Sequence, residues 1–193
     1  MLYQDDYMDV LFERLFQKIS TPEFGKNLGG VQSLFIQPIP PEKQLETSSQ
    51  LERLSKRLEK KGQKSISINL YDLCLQILAE DECLEPILDN EASMDHQDLL
   101  ATLDSILDIK ERIVPKMKLV IDGSNASFIF VDGVGSVYPF VRSHNILNNI
   151  GALAQNRNLI LFFPGEYSNL QLHLFGRIFD ENFYQARNLN DMV

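Results

Sequence analysis

Ser127-Phe128-Ile129-Phe130-Val131 (SFIFV) runs without a break into Asp132-Gly133-Val134-Gly135-Ser136-Val137. A strand apolar at nearly every position, rather than at alternate ones, is buried on both faces, the condition of a strand in a parallel sheet covered by helices. Working outward, Leu159 to Phe163 (LILFF) repeats that signature, and Ser65 to Leu70 (SISINL) and Ser33 to Ile39 (SLFIQPI) read as two further short strands, the last closed by Pro38, Pro40 and Pro41. Helical spacing fills the intervals: Asp6 to Ile19, Leu45 to Leu58 with Gly62 as its stop, Tyr71 to Ala79, Leu84 to Leu88, Asp98 to about Met117, and Phe140 to Ala152. Strands alternating with helices predict a three-layer α/β sandwich, Rossmann-like, with a mainly parallel sheet of four or five strands. Leu172 to Asn188 reads as an edge strand or hairpin.

The 193 residues, 44% of them apolar, make one domain, 1–193, able to bury roughly 70% of its unfolded surface. Acidity is concentrated: from Asp72 to Glu111 there are twelve Asp or Glu against one base, Lys110, while the rest of the chain is slightly basic. This stretch falls between the second and third strands, so residues 72–123 read as an acidic helical excursion, solvated or docking a basic partner. Asp5, Asp6 and Asp9 stand where a secretory signal carries bases, and no apolar run reaches the roughly 18 residues of a membrane span; a cytoplasmic protein is expected. Cys74 and Cys83 read as reduced thiols, and His96, His144 and His173 lie too far apart in sequence for a zinc cluster. No metal and no cofactor is expected.

Ligands of open α/β sheets meet the loops at the strands' carboxyl ends. Gly133, Gly135 and Ser136 follow a strand and precede a helix, the context of a phosphate-binding turn. The fingerprint is incomplete, though: Tyr138 or its neighbour stands where a third Gly belongs, and neither Gly25-Lys26-Asn27 nor Gly62-Gln63-Lys64-Ser65 forms a P-loop. Pro139 then reads as the first residue of the next helix. On that helix Arg142, Asn145 and Asn149, with His144 and Asn148, gather a base, an imidazole and amides on adjacent faces. Phe163-Pro164-Gly165-Glu166-Tyr167 reads as a strand ending in a rigid turn with Glu166 and Tyr167 at its mouth. The basic face from Arg53 to Lys64 has no interleaved aromatics and adjoins the acidic segment, with which it could pair.

Four blocks together carry a resemblance: Ile19 to Phe24 with Leu28-Gly29; Ile68-Asn69-Leu70-Tyr71-Asp72-Leu73; Asp132 to His144 with Leu147-Asn148-Asn149; and Leu161 to Tyr167 with Leu174-Phe175-Gly176-Arg177. In this order and spacing the chain, from about residue 8 to 188, resembles the BrxB family of BREX phage-defence systems. Two turns depart from the family pattern: Lys26-Asn27-Leu28-Gly29-Gly30-Val31 replaces a Lys-Gly-Leu-Gly turn, and Asp132 stands where Thr is frequent. The resemblance implies a small bacterial accessory protein encoded with a methyltransferase, a large ATPase and the phosphatase-like PglZ, acting as an assembly factor rather than an enzyme. The expected docking face comprises Gly133, Gly135, Ser136, Tyr138, Arg142, His144, Asn148, Glu166, Tyr167 and Arg177. PglZ is the expected partner, with no membrane and with DNA met only through the complex. The rival is a nucleotide- or phosphate-binding enzyme using the crevice at Gly133 to Ser136; a third reading is direct DNA binding through Arg53 to Lys64.

Overall fold

The structure is a computed structural model and describes residues 7–25 and 33–192. Residue 6, the expected start of the first helix, and the Lys26 to Val31 turn lie outside the described residues. The chain order is α1 (Tyr7–Ile19), β1 (Leu34–Ile39), a 3-10 turn (Pro41–Glu46), α2 (Thr47–Glu59), β2 (Ser65–Asn69), α3 (Leu70–Glu80), α4 (Leu84–Asn90) and α5 (His96–Ile106). A π turn (Ile109–Ile113), α6 (Val114–Asp122), β3 (Phe128–Asp132), α7 (Ser143–Ala154), β4 (Asn158–Ser168), β5 (Gln171–Leu174), β6 (Ile178–Phe179) and β7 (Arg187–Asn188) complete it. Strands β2-β3-β4-β1-β7 lie side by side, all parallel, and β5 and β6 extend the sheet antiparallel from the far end of β4. The three-layer α/β reading holds.

The strand residues sort the two cores. Along β3, Phe128 and Phe130 join α1 and α2 on one face, while Ile129 and Val131 join α3, α6 and α7 on the other. β4 continues the pattern: Phe162 stacks on Phe12 of α1 at 5.5 Å and meets Phe130 edge-on at 5.9 Å, whereas Leu159 and Leu161 face the opposite layer. Successive side chains of one strand thus feed two separate cores, the one under α1 and α2 carrying the stacked Phe side chains, because they point to opposite faces. Pro38 falls beyond the Phe35–Ile36 stretch that pairs with β7, where β1 has one neighbour and a sheet admits proline.

Several expectations are corrected. The stretch from Asp98 to Met117 is not one helix: α5 ends near Leu107, and Asp108 restarts the chain by accepting hydrogen bonds from the amides of Lys110 and Glu111, both at 2.8 Å. Within the 72–123 excursion the helices are buried unequally. α3 and α6 contribute Leu73, Ile77, Met117 and Ile121 to the core, while α4 and α5 bury no residue fully. Pro139 does not open a helix; its peptide bond with Tyr138 is cis, and α7 begins at Ser143. Finally, β4 does not stop at Pro164. It runs on to Ser168 and pairs Gly165 through Ser168 with β5, turning back through Asn169 and Leu170 in left-handed conformations.

Candidate functional site

The parallel strands end in one row. β2 ends at Asn69, whose side-chain oxygen accepts from the amides of Tyr71 (3.0 Å) and Asp72 (3.2 Å), capping α3. β3 ends at Asp132, only 3% exposed. Its carboxylate accepts from the Ser48 hydroxyl at 2.7 Å and from the Asn69 side chain, and burial raises its pKa, with the nearby Asp72 charge adding to the shift. Ser48 lies in the first turn of α2, so this contact ties the end of the sheet to a helix brought in by β1.

The glycine turn that follows is closed. The amides of Ser136 and Val137 bond to the Gly133 carbonyl at 3.1 and 3.3 Å, so these two donors are used within the turn rather than offered to a phosphate. Gly133 has φ +79°, and a Cβ there would lie 2.7 Å from the Asn69 side-chain oxygen. At Gly135 a Cβ would meet Gln44 at 2.2 Å, Phe175 at 2.8 Å and Pro164 at 2.9 Å. Three other segments therefore pack onto this turn, the first residue of α3, Leu70, lies against Gly133, and the helix that follows the turn in sequence starts only at Ser143. Gly133 and Ser136 border a cavity of about 60 Å³ shared with Thr47, Ser48, Asn69 and Asp132.

Five of the remaining expected residues divide between two grooves. A groove of about 1010 Å³ opens between the end of β1 and the β4–β5 hairpin. Its walls include Pro38, Pro40 and Pro41 on one side and Glu166, Tyr167 and Arg177 on the other. Tyr167 enters it through its backbone: the residue is 5% exposed, and its hydroxyl donates to the Tyr184 and Ala186 carbonyls at 2.9 and 3.0 Å. Glu166 stands outward, 3.9 Å from His173, whose ring lies tilted against that of Phe179 with centroids 3.9 Å apart. Arg142 and His144 line a second groove, of about 380 Å³, between α5 and the start of α7, with Leu100, Asp104 and Phe140. Tyr138 packs edge-on against Phe175, and Asn148 is exposed on α7. The ten residues are thus spread over the glycine turn, the two grooves, the Tyr138–Phe175 contact and the exposed side of α7.

The basic face of α2 finds its partners in α1, not in the acidic segment. Arg57 pairs with Glu13 at 2.8 Å, Arg53 with Asp9 at 3.5 Å, and Arg57 and Lys61 both lie over the Phe16 ring. The acidic segment finds cations within its own excursion, Asp81 with Arg112 at 2.5 Å and Glu80 with Lys116. What the sequence reading missed is the Ser48 and Thr47 contribution to the end of β3. Asp132 was legible as a strand-end carboxylate, but nothing local points to a hydroxyl so far away in the chain.

The class these features define is a doubly wound α/β protein with its grooves at the carboxyl ends of a parallel sheet. Among the described residues no helix is long and apolar enough to cross a membrane, and no three His, Cys, Asp or Glu side chains are grouped to hold a metal ion. The family pattern described as "BREX protein BrxB" matches residues 66–189. Over 183 residues the chain is 30% identical to the BREX protein BrxB of Bacillus cereus strain H3081.97, covering 93% of this chain and 95% of that protein. It is 24% identical over 187 residues to the BREX protein BrxB of Escherichia coli O9:H4 strain HS, covering 96% of this chain and 92% of that one. The chain belongs to the BrxB family of BREX phage-defence proteins. No solved structure matches it.

Proposed function

We propose that this chain is a non-enzymatic assembly subunit that docks other BREX components, PglZ foremost, in the cytoplasm, and that it meets DNA only through the complex. The observation that carries the reading is the 1010 Å³ groove at the strand ends. Its proline wall presents rigid apolar surface, and Glu42, Glu166 and Arg177 supply charges for a partner's side chains and backbone. The glycine turn adds support, since two of its amides, those of Ser136 and Val137, are already bonded to the Gly133 carbonyl.

The test is affinity purification of the tagged chain from cells expressing the whole system. Recovery of PglZ or another component, weakened by reversing Arg177 to Glu, is the expected result. Recovery of none sinks the reading. The enzyme alternative is checked by a nucleotide panel, where a ligand at a hundred times its Kd would stabilise the fold by about 2.7 kcal/mol.

A further inference from the structure

We infer that the recess at the carboxyl ends of β2 and β3 is a receptor for one guanidinium group, an arginine side chain presented by a partner protein. This rests on the docking reading above and names the chemistry of one of its contacts. The starting observation is an unbalanced charge. Asp132 is 3% exposed, yet the groups that hydrogen-bond it, the Ser48 hydroxyl and the Asn69 amide, are neutral, and among the described residues no Lys, Arg or His forms an ion pair with it. A buried carboxylate without a counter-charge is costly, and a cation delivered from outside removes that cost.

The surroundings fit such a cation. Asp132 lies on a recess of about 340 Å³ with two further carboxylates, Asp72 and Glu52, and with the neutral acceptors Ser48, Asn69 and Gln76. Among the described residues no cationic side chain lines it, and Ile68, Leu73 and Val120 supply an apolar wall for a methylene stem. The 60 Å³ cavity at the glycine turn shares Ser48, Asn69 and Asp132 with this recess. On that cavity lies Thr47, 1% exposed, whose hydroxyl has no hydrogen-bond partner. An orphaned buried hydroxyl beside an uncompensated carboxylate marks a place where polar partners are missing.

The shape of the missing group follows from how the acceptors are distributed. They come from α2, α3, β2 and β3 and include no metal-holding trio of carboxylate, imidazole or thiolate groups. A point-like ion is poorly matched to acceptors so dispersed, whereas a planar guanidinium carries five N–H donors in a fixed fork. The partner assignment follows from position. The small cavity also shares Ile39 with the 1010 Å³ groove, so one docked surface can reach both.

The test titrates the 15N-labelled chain with N-acetyl-arginine methylamide, with the uncharged citrulline analogue and with Mg²⁺ in parallel. Expected are saturable amide shifts at Ser48, Asn69 and Asp132 with the arginine probe at millimolar concentration and none with citrulline. Asp132→Asn and the more peripheral Asp72→Asn, each checked for folding by circular dichroism, should raise the Kd at least about tenfold. No saturable shift, equal shifts with citrulline, or Mg²⁺ acting at lower concentration than the probe would each overturn the guanidinium assignment. Asp72→Asn is then carried into the co-purification. Loss of the partner supports the assignment, whereas undiminished recovery overturns the partner arginine and leaves the docking reading intact. If the unaltered chain recovers no component, the docking reading fails and takes the partner arginine with it, while the probe titration still decides the pocket.

Discussion

Ser48 donates its hydroxyl to the buried carboxylate of Asp132 at 2.7 Å, joining the first turn of α2 to the last residue of β3 across 84 positions of sequence. A hydrogen bond to a buried charge is stronger than one between neutral groups. Ser48→Ala should therefore destabilise the fold by about 2 kcal/mol at neutral pH, measured by urea unfolding. A change within experimental error would mean that water replaces the hydroxyl.

Asp132 also gives the fold a pH dependence of definite sign. Burial raises its folded-state pKa above the ordinary carboxylate value, so the native state holds the proton more tightly than the unfolded chain. That contribution to stability is complete below the unfolded value of about 4 and is lost as pH rises through the raised folded value. Asp132→Asn removes the ionisation, so its stability relative to the parent should increase between pH 4 and 7. A difference that stays constant across that range would contradict the assignment.

Two glycines with almost the same left-handed φ should respond differently to alanine. Gly62, at φ +75°, has nothing within 4 Å of a new Cβ, so Gly62→Ala should cost only the backbone strain of about 1–2 kcal/mol. Gly133, at φ +79°, adds a 2.7 Å approach to Asn69, which caps α3 and bonds Asp132. Gly133→Ala should therefore lower the thermal midpoint further than Gly62→Ala.

Tyr167→Phe should destabilise by about 1–3 kcal/mol, because two carbonyls, those of Tyr184 and Ala186, lose their shared donor. Hydrogen exchange should accelerate around residues 184–188, whose path along the sheet this hydroxyl pins. Co-purification of partners should survive in the folded protein, since the side chain faces the core.

The acidic excursion should exchange unevenly. α4 and α5 bury no residue, whereas α3 and α6 send Ile77, Leu78, Met117 and Ile121 into the core. Amide exchange measured by mass spectrometry should be faster in α4 and α5 than in α3 and α6. Equal protection across all four helices would show that α4 and α5 are held by more than their half-buried faces.

The residues that carried local information were read correctly from the chain. SFIFV and LILFF declare strands buried on both sides, the helical spacing between them declares covering layers, and the absence of bases between Ser65 and Ile109 locates the acidity. Each signal depends on neighbours in sequence, through side-chain period or composition, and needs no knowledge of what packs where. Pro164 misled for the same reason. Proline and glycine after an apolar run suggest an end, yet here β5 returns to pair with the residues beyond, and cross-strand pairing outweighs local turn chemistry. The glycine turn is similar: its spacing suggests an open phosphate cradle, and only the arrival of Gln44, Phe175 and Pro164 from three other segments closes it.

The sequence by itself determined the layers, the mainly parallel sheet and the family, because periodicity, charge and motif order survive in one dimension. The tertiary structure alone decided that the ten expected site residues are spread over the glycine turn, two grooves and α7, that Tyr167 is a core anchor, and that Asp132 ends buried beside Ser48 with no cation paired to it among the described residues. Those outcomes depend on contacts between segments far apart in the chain, and such contacts exist only once the strands take their order and bring the loops to one edge.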